Sequence, residues 1–265
     1  MKLFFLVSWI FVLLFSGSFA SELVFVEEYK NISSLAGVDK MGNIYSIENG
    51  VLRKHNASGE IISYSKRSFG PVTFADVSDP LNILAFFGDF GHVVMLDKNL
   101  AEKRSFNASD LIATDVPSKI CFSSQNGFWA WYAGLYQLIR FNDRGMPEVS
   151  GNDLSLEYPS MGNITYMHES NEQLFIAANG VWVFDRHANF LYSLPDIPTE
   201  KIQLTEQYIF SLEGQKMKVY DFFLRGENVF LLPETGIKFF FVKGDEIFLQ
   251  TEVSLKKYRF TGNFH

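Results

Sequence analysis

Short apolar runs, each bounded by Gly, Asn, Asp or Pro, recur along this chain; Ile61–Tyr64, Val93–Leu96 and Lys238–Val242 are examples. Runs of this length with turn residues at both ends read as β-strands, and long segments with apolar residues at helical spacing are absent. The runs form a repeated phrase: an apolar strand, a tight turn, a second strand ending in an aromatic or aliphatic residue, and then a polar turn. Copies stand at Gly42–Asn56, Asn82–Asp97, Gly127–Asn142, Gln173–Asp185, Gln207–Asp221 and Asp245–Phe260. Their anchor residues, His55, Leu96, Phe141, Phe184, Tyr220 and Tyr258, are spaced by 41, 45, 43, 36 and 38 residues. Such a period is that of propeller blades of four strands each. Turn residues fall where a meander needs them: Glu48-Asn49-Gly50, Ala178-Asn179-Gly180 and Glu213-Gly214-Gln215 supply the positive φ angles of tight hairpins, and Asn56-Ala57-Ser58-Gly59 closes the next turn of its blade.

The two ends of the chain bear on closure. The last repeat finishes near Phe260, leaving too few residues for another strand and turn, while Glu22–Tyr29 reads as a strand without a blade of its own. Docking that strand on the outside of the final blade gives a single all-β propeller of about six blades, closed by its N-terminal strand. A β-sandwich would explain the strands but neither the repeat spacing nor the matching ends.

Ahead of the repeats, Lys2 is followed by the apolar run Leu3–Phe15, broken only by Ser8, and then by Ser18-Phe19-Ala20 with small residues where a signal peptidase reads. The run is short for a membrane span, so residues 1–20 are expected to be a signal peptide cleaved between Ala20 and Ser21, leaving 21–265 as one propeller domain without a membrane anchor. No cysteine follows the small-residue site, which removes lipid attachment. Without the leader, 22 basic residues face 30 acidic ones, a formal charge of −8. That balance argues against nucleic acid and anionic lipid as partners. Phe at 28 and Tyr at 11 positions are heavy aromatic usage, suited to pleated, half-buried surfaces.

Candidate chemistry is sparse. Cys121 lies in the apolar stretch Lys119–Phe122 and reads as a buried, inert thiol. The histidines at 55, 92, 168, 187 and 265 never pair at metal-ligand spacing, so neither a metal nor a cofactor is expected. Asp76, Asp79 and Asp89 could be read as catalytic carboxylates, but the favoured reading has Asp76 and Asp79 capping the turn into Pro80 and Asp89 in the next hairpin. Ser123 and Ser124 lack a nucleophile-elbow pattern, so no catalytic residue is assigned. The four Asn-X-Ser/Thr sites, at Asn31, Asn56, Asn107 and Asn163, read as turn residues. In Phe128-Trp129-Ala130-Trp131-Tyr132, stacked blades would bury both sheet faces; a ring such as Trp131 would mark a contact surface only if it reached the blade edge. Phe69 and Phe90, with Asp89, fall in loops expected to emerge together on one end of the disc, and form the candidate binding surface.

The stretch Val38–Tyr45, Leu52–His55 with Gly59, Gly70-Pro71, and above all Asp76–Leu81 and Ile83–Phe90 resembles a family of small exported propellers found in Bacteroidota. The resemblance is clearest over residues 38–100 and thins to general blade pattern afterwards. It implies an exported periplasmic protein, and one role suggested for similar proteins is a subunit closing the periplasmic mouth of the type IX secretion channel.

Two functional classes follow. One is a non-catalytic binding or scaffold protein of the cell envelope, a monomer within a larger complex, whose partner is an outer-membrane or envelope protein. The other is an enzyme acting on a glycan or lactone in the central pocket. An enzyme should converge polar side chains on the channel, and Thr73–Val77, Ile164–Met167 and Phe239–Val242, read as innermost strands, supply few; the non-catalytic reading is favoured.

Overall fold

The computed structural model describes residues 22–108, 115–222 and 226–261. Its 24 strands make six antiparallel sheets of four strands each, a six-bladed β-propeller. The leader and the cleavage position at Ala20 and Ser21 lie outside the described residues. From blade 1 to blade 6 the innermost strands are Leu35–Val38, Phe74–Asp79, Lys119–Ser123, Tyr166–Ser170, Ile202–Leu204 and Phe239–Lys243. The sixth sheet takes its outermost strand from the other end of the chain: Glu22–Tyr29 pairs antiparallel with Leu255–Thr261, with Leu23 opposite Phe260 and Tyr29 opposite Leu255. Phe25 meets Tyr258 edge-on, ring centroids 5.7 Å apart.

The repeated phrase has a local cause. Each of Asp97, Asn142 and Asp185 follows the anchor that ends a third strand, and its Oδ1 accepts from the backbone N–H groups two and four residues on, at 2.8 to 3.0 Å. Asn56 accepts from Glu60 N–H in the same way, at 2.8 Å. The side chain thus replaces a backbone acceptor and fixes the turn into the fourth strand. Three residues after each of these side chains the backbone is left-handed: Gly59 (φ 83°), Leu100 (59°), Gly145 (74°) and Ala188 (62°). Leu100 and Ala188 take a conformation that costs a side chain about 1–2 kcal/mol, and both are buried in a core cluster that holds them there. After the sixth anchor, Tyr258, the chain continues as strand through Arg259, because this blade's fourth strand does not come from a turn.

Every sheet is packed on both faces. In Gly127–Tyr132 all six residues are buried. Phe128, Ala130 and Tyr132 pack with Phe86, Val93 and Met95 of blade 2, and Trp129 and Trp131 with Met167, Ile176 and Leu174 of blade 4. Trp131 is therefore no contact surface: it is 4% exposed, with Tyr136 edge-on at 5.9 Å.

Each blade is also tied to the next by a side chain that bonds across the gap. Lys54 Nζ donates to Lys98 C=O (2.6 Å), Asp76 Oδ2 accepts from Phe122 N–H (2.9 Å), and Glu169 Oε2 accepts from the Trp129 indole (2.5 Å). Asn171 donates to Glu206 C=O (3.3 Å), and Gln203 both donates to Val242 C=O (2.8 Å) and accepts from Val242 N–H (2.6 Å). Gln250 donates to Ile32 C=O (3.2 Å), which brings the series from blade 6 back to the segment leading into blade 1. Removing Glu22–Tyr29 is expected to lower the thermal unfolding midpoint far more than removing 262–265, since only the first bares the outer edge of blade 6 together with Phe260 and Tyr258. Equal losses in the two truncations, measured by circular dichroism, would contradict this closure.

Candidate functional site

In a four-stranded meander, the hairpin between strands two and three and the linker to the next blade emerge at the same end of the disc. Backbone hydrogen bonds join the two along the ring: Val72 N–H to Gly50 C=O (3.0 Å), Ala108 to Gly91 (2.8 Å), Leu154 to Tyr136 (2.9 Å) and Leu232 to Gln215 (2.8 Å). This end, called upper below, carries Phe69, Asp89 and Phe90 together. Phe69 closes a short 3-10 turn, Arg67–Phe69, in the linker from blade 1 to blade 2. Asp89 and Phe90 form the hairpin between Asn82–Phe87 and His92–Leu96.

The two rings differ in accessibility. Phe90 is 60% exposed and lies over Gly70, where a Cβ would meet its ring at 3.1 Å. Gly70 combines that close approach with a positive φ of 82°, so two separate constraints demand glycine there. Phe69 is half-buried instead. It stacks on His92 (centroids 3.7 Å), meets Phe87 edge-on (5.6 Å), and has Lys66 Nζ over its ring at 4.1 Å. It supports the loop from beneath, and Phe90 is the ring that faces outward. Asp89 is exposed beside it.

The other aspartates separate. Asp79 caps its turn, accepting from Leu81 N–H (2.9 Å) and Asn82 Nδ2 (2.7 Å). Asp76 does not take part in that cap; it accepts from Ser78 N–H (3.0 Å) and staples blade 2 to blade 3 through Phe122. Among the described residues no three His, Cys, Asp or Glu side chains gather as a metal site.

The axial channel is more polar than the sequence reading expected. The fourth innermost strand is Tyr166–Ser170, not Ile164–Met167, and it brings Tyr166 and His168 to the axis, their rings stacked at 6.4 Å. The second, Phe74–Asp79, carries Asp76, which already lay within the stretch Thr73–Val77 read as innermost. His168 is half-buried. Burial pushes its pKa down, opposed by the charges of Asp76, Glu169 and Glu206 and reinforced by Lys40. Burial, then Asp76, pushes the Tyr166 phenol and the fully buried Cys121 thiol up, so both stay protonated at neutral pH. The period-two alternation of Tyr166-Met167-His168 carried this signal, since Met167 turns to the core between blades 3 and 4.

No protein-family model matches this chain, and no curated protein sequence does. Solved structures do match in shape. A catalytically inactive histidine-to-alanine variant of virginiamycin B lyase from Staphylococcus aureus with quinupristin superposes with a TM-score of 0.58 at 12% identity, covering 92% of this chain and 90% of that one. BamB from Moraxella catarrhalis gives 0.53 at 12% identity, covering 86% and 85%. A luciferin-regenerating enzyme gives 0.57 at 10% identity, covering 91% and 95%. These likenesses are of fold alone. They carry the six-bladed propeller and choose neither between binding protein and enzyme nor for the Bacteroidota family.

The channel histidine gives stability a pH dependence. Its pKa is lower folded than unfolded, so the unfolded chain binds the extra proton first, and stability present above about pH 6.5 is lost as pH falls through that value. His55, also lowered by burial, acts in the same direction. His168→Gln is therefore expected to flatten, without abolishing, the fall in unfolding midpoint between pH 7 and pH 5 (the window around that ordinary pKa). An unchanged slope would contradict a neutral His168.

Proposed function

We propose that this propeller is a non-catalytic, exported binding protein of the cell envelope that docks an outer-membrane partner on its upper end, as a monomer within a larger complex. The observation that carries the reading is Phe90, a mostly exposed aromatic ring lying over Gly70, with the exposed Asp89 carboxylate, which makes no hydrogen bond or ion pair among the described residues, beside it. An exposed apolar ring costs hydration and contributes little to the fold there, whereas interface affinity concentrates in such anchors. No helix among the described residues is long and apolar enough to cross a membrane. A finer assignment, closure of the periplasmic mouth of a type IX secretion channel, is supported only by the sequence resemblance around Asp76–Phe90.

Asp76, Tyr166 and His168 support a second reading, an enzyme acting on a glycan or lactone at the axis. Turnover of such a compound, lost in His168→Ala with Phe90→Ala unaffected, would establish it in place of the first.

Because Phe69 is packed against Phe87 and His92, its removal costs stability, and the clean test is at the exposed pair. Phe90→Ala is expected to weaken partner binding by on the order of 2 kcal/mol while leaving the unfolding midpoint unchanged, and Asp89→Lys to weaken it further. A folded Phe90→Ala, Asp89→Lys protein that co-purifies undiminished with its envelope partner would reject this face.

A further inference from the structure

The channel opens at the upper end into a cavity of about 310 Å³ walled by the first strands of blades 2, 3 and 4. Phe74, Phe86, Ile120 and Met167 give it an apolar lining. Two of its hydroxyls are already committed to holding the walls. Thr73 Oγ1 donates to Phe86 C=O (3.2 Å) and accepts from Gly88 N–H (3.0 Å), and Thr165 Oγ1 bonds to the carbonyls of Ala177 (3.2 Å) and Thr199 (3.0 Å). What remains is the exposed Ser118 hydroxyl and, next to it, the half-buried Lys119, whose ammonium makes no hydrogen bond or ion pair among the described residues. Both are donors. Deeper in the channel the field of Asp76 reaches Tyr166, which also lines the cavity, so a negative charge is disfavoured below and favoured at the mouth.

We propose that this cavity binds a small organic anion with one compact apolar body and one carboxylate: the body lies against Phe74, Phe86, Ile120 and Met167, and the carboxylate meets the Lys119 ammonium and the Ser118 hydroxyl. The volume stands at the lower end of the roughly 300–1,000 Å³ found for ligand pockets, which limits the body to a single ring or a short branched chain. Lys119 is half-buried as a residue, and a contact between its ammonium and a carboxylate is charge-assisted, stronger than one between neutral groups. The site stands whether or not the upper end docks a partner.

Ligand-observed NMR with phenylpropionate tests it, using phenylpropylamine as the counterpart of opposite charge and equal shape. Phenylpropionate is expected to bind with a dissociation constant of about 1 mM or tighter, roughly tenfold ahead of the amine. Lys119→Met, close to lysine in length, should remove that preference, and Ser118→Trp, at an exposed position on the mouth, should block both compounds. No binding of phenylpropionate in the millimolar range, equal binding of the amine, or wild-type affinity in both variants with circular dichroism unchanged would overturn the proposal.

Discussion

A ring of stacked sheets is stable only when each sheet finds a neighbour for both of its faces, and every other property of this molecule depends on that requirement. An open row would leave two terminal faces bare, each carrying the large apolar side chains that make up its core. Here blade 6 combines three strands from the end of the chain with one from its beginning, so the two termini are held by the same hydrogen-bonded ladder. Side chains reinforce the ring at each of its gaps. Gln203 has both of its amide groups engaged by Val242, and the buried Gln250 reaches Ile32 C=O through Nε2, while its Oε1 has no partner among the described residues.

Once closed, the ring sorts every loop to one of two ends and holds it rigidly. The lower end carries the Asx-fixed turns, whose side chains are used up in holding the backbone. The upper end carries longer linkers and the hairpins that bond to them, and there an aromatic ring is left facing outward. Phe69, Gly70 and Phe90 show how such a surface is built: one ring is stacked into the fold, a glycine removes the volume between, and the second ring is displayed above it. Lys66 over Phe69 and bonded to Glu102 (2.9 Å) ties the linker to the outer strand of blade 2 as well.

The architecture was legible in the sequence because its causes are local. An anchor such as Leu96 or Phe141 followed by Asp97 or Asn142 encodes a strand end and a turn within a few residues, and repetition at blade spacing encodes the ring. Accessibility was less legible. Phe69 and Phe90 look alike in sequence, and the packing of Phe69 on His92 and Phe87 separates the half-buried ring from the displayed one. Trp131 was resolved by the packing of blade 3 against blade 4, which gives both faces of a strand the same burial. His168 was missed because the innermost strand was read as Ile164–Met167, which stops one residue short of it, whereas the strand runs Tyr166–Ser170.

The central claim is that the upper end, and not the lower end or the rim, meets the partner. A photo-crosslinking residue placed at position 90, in the native cell envelope, tests it most directly, with position 41 on the lower end and position 229 on the outer strand of blade 5 as comparisons; Met41 and Val229 are as exposed as Phe90 or nearly so. The account expects a single discrete adduct with an outer-membrane protein from position 90 and none from the other two. Adducts from position 41 or 229 with none from position 90 would contradict it.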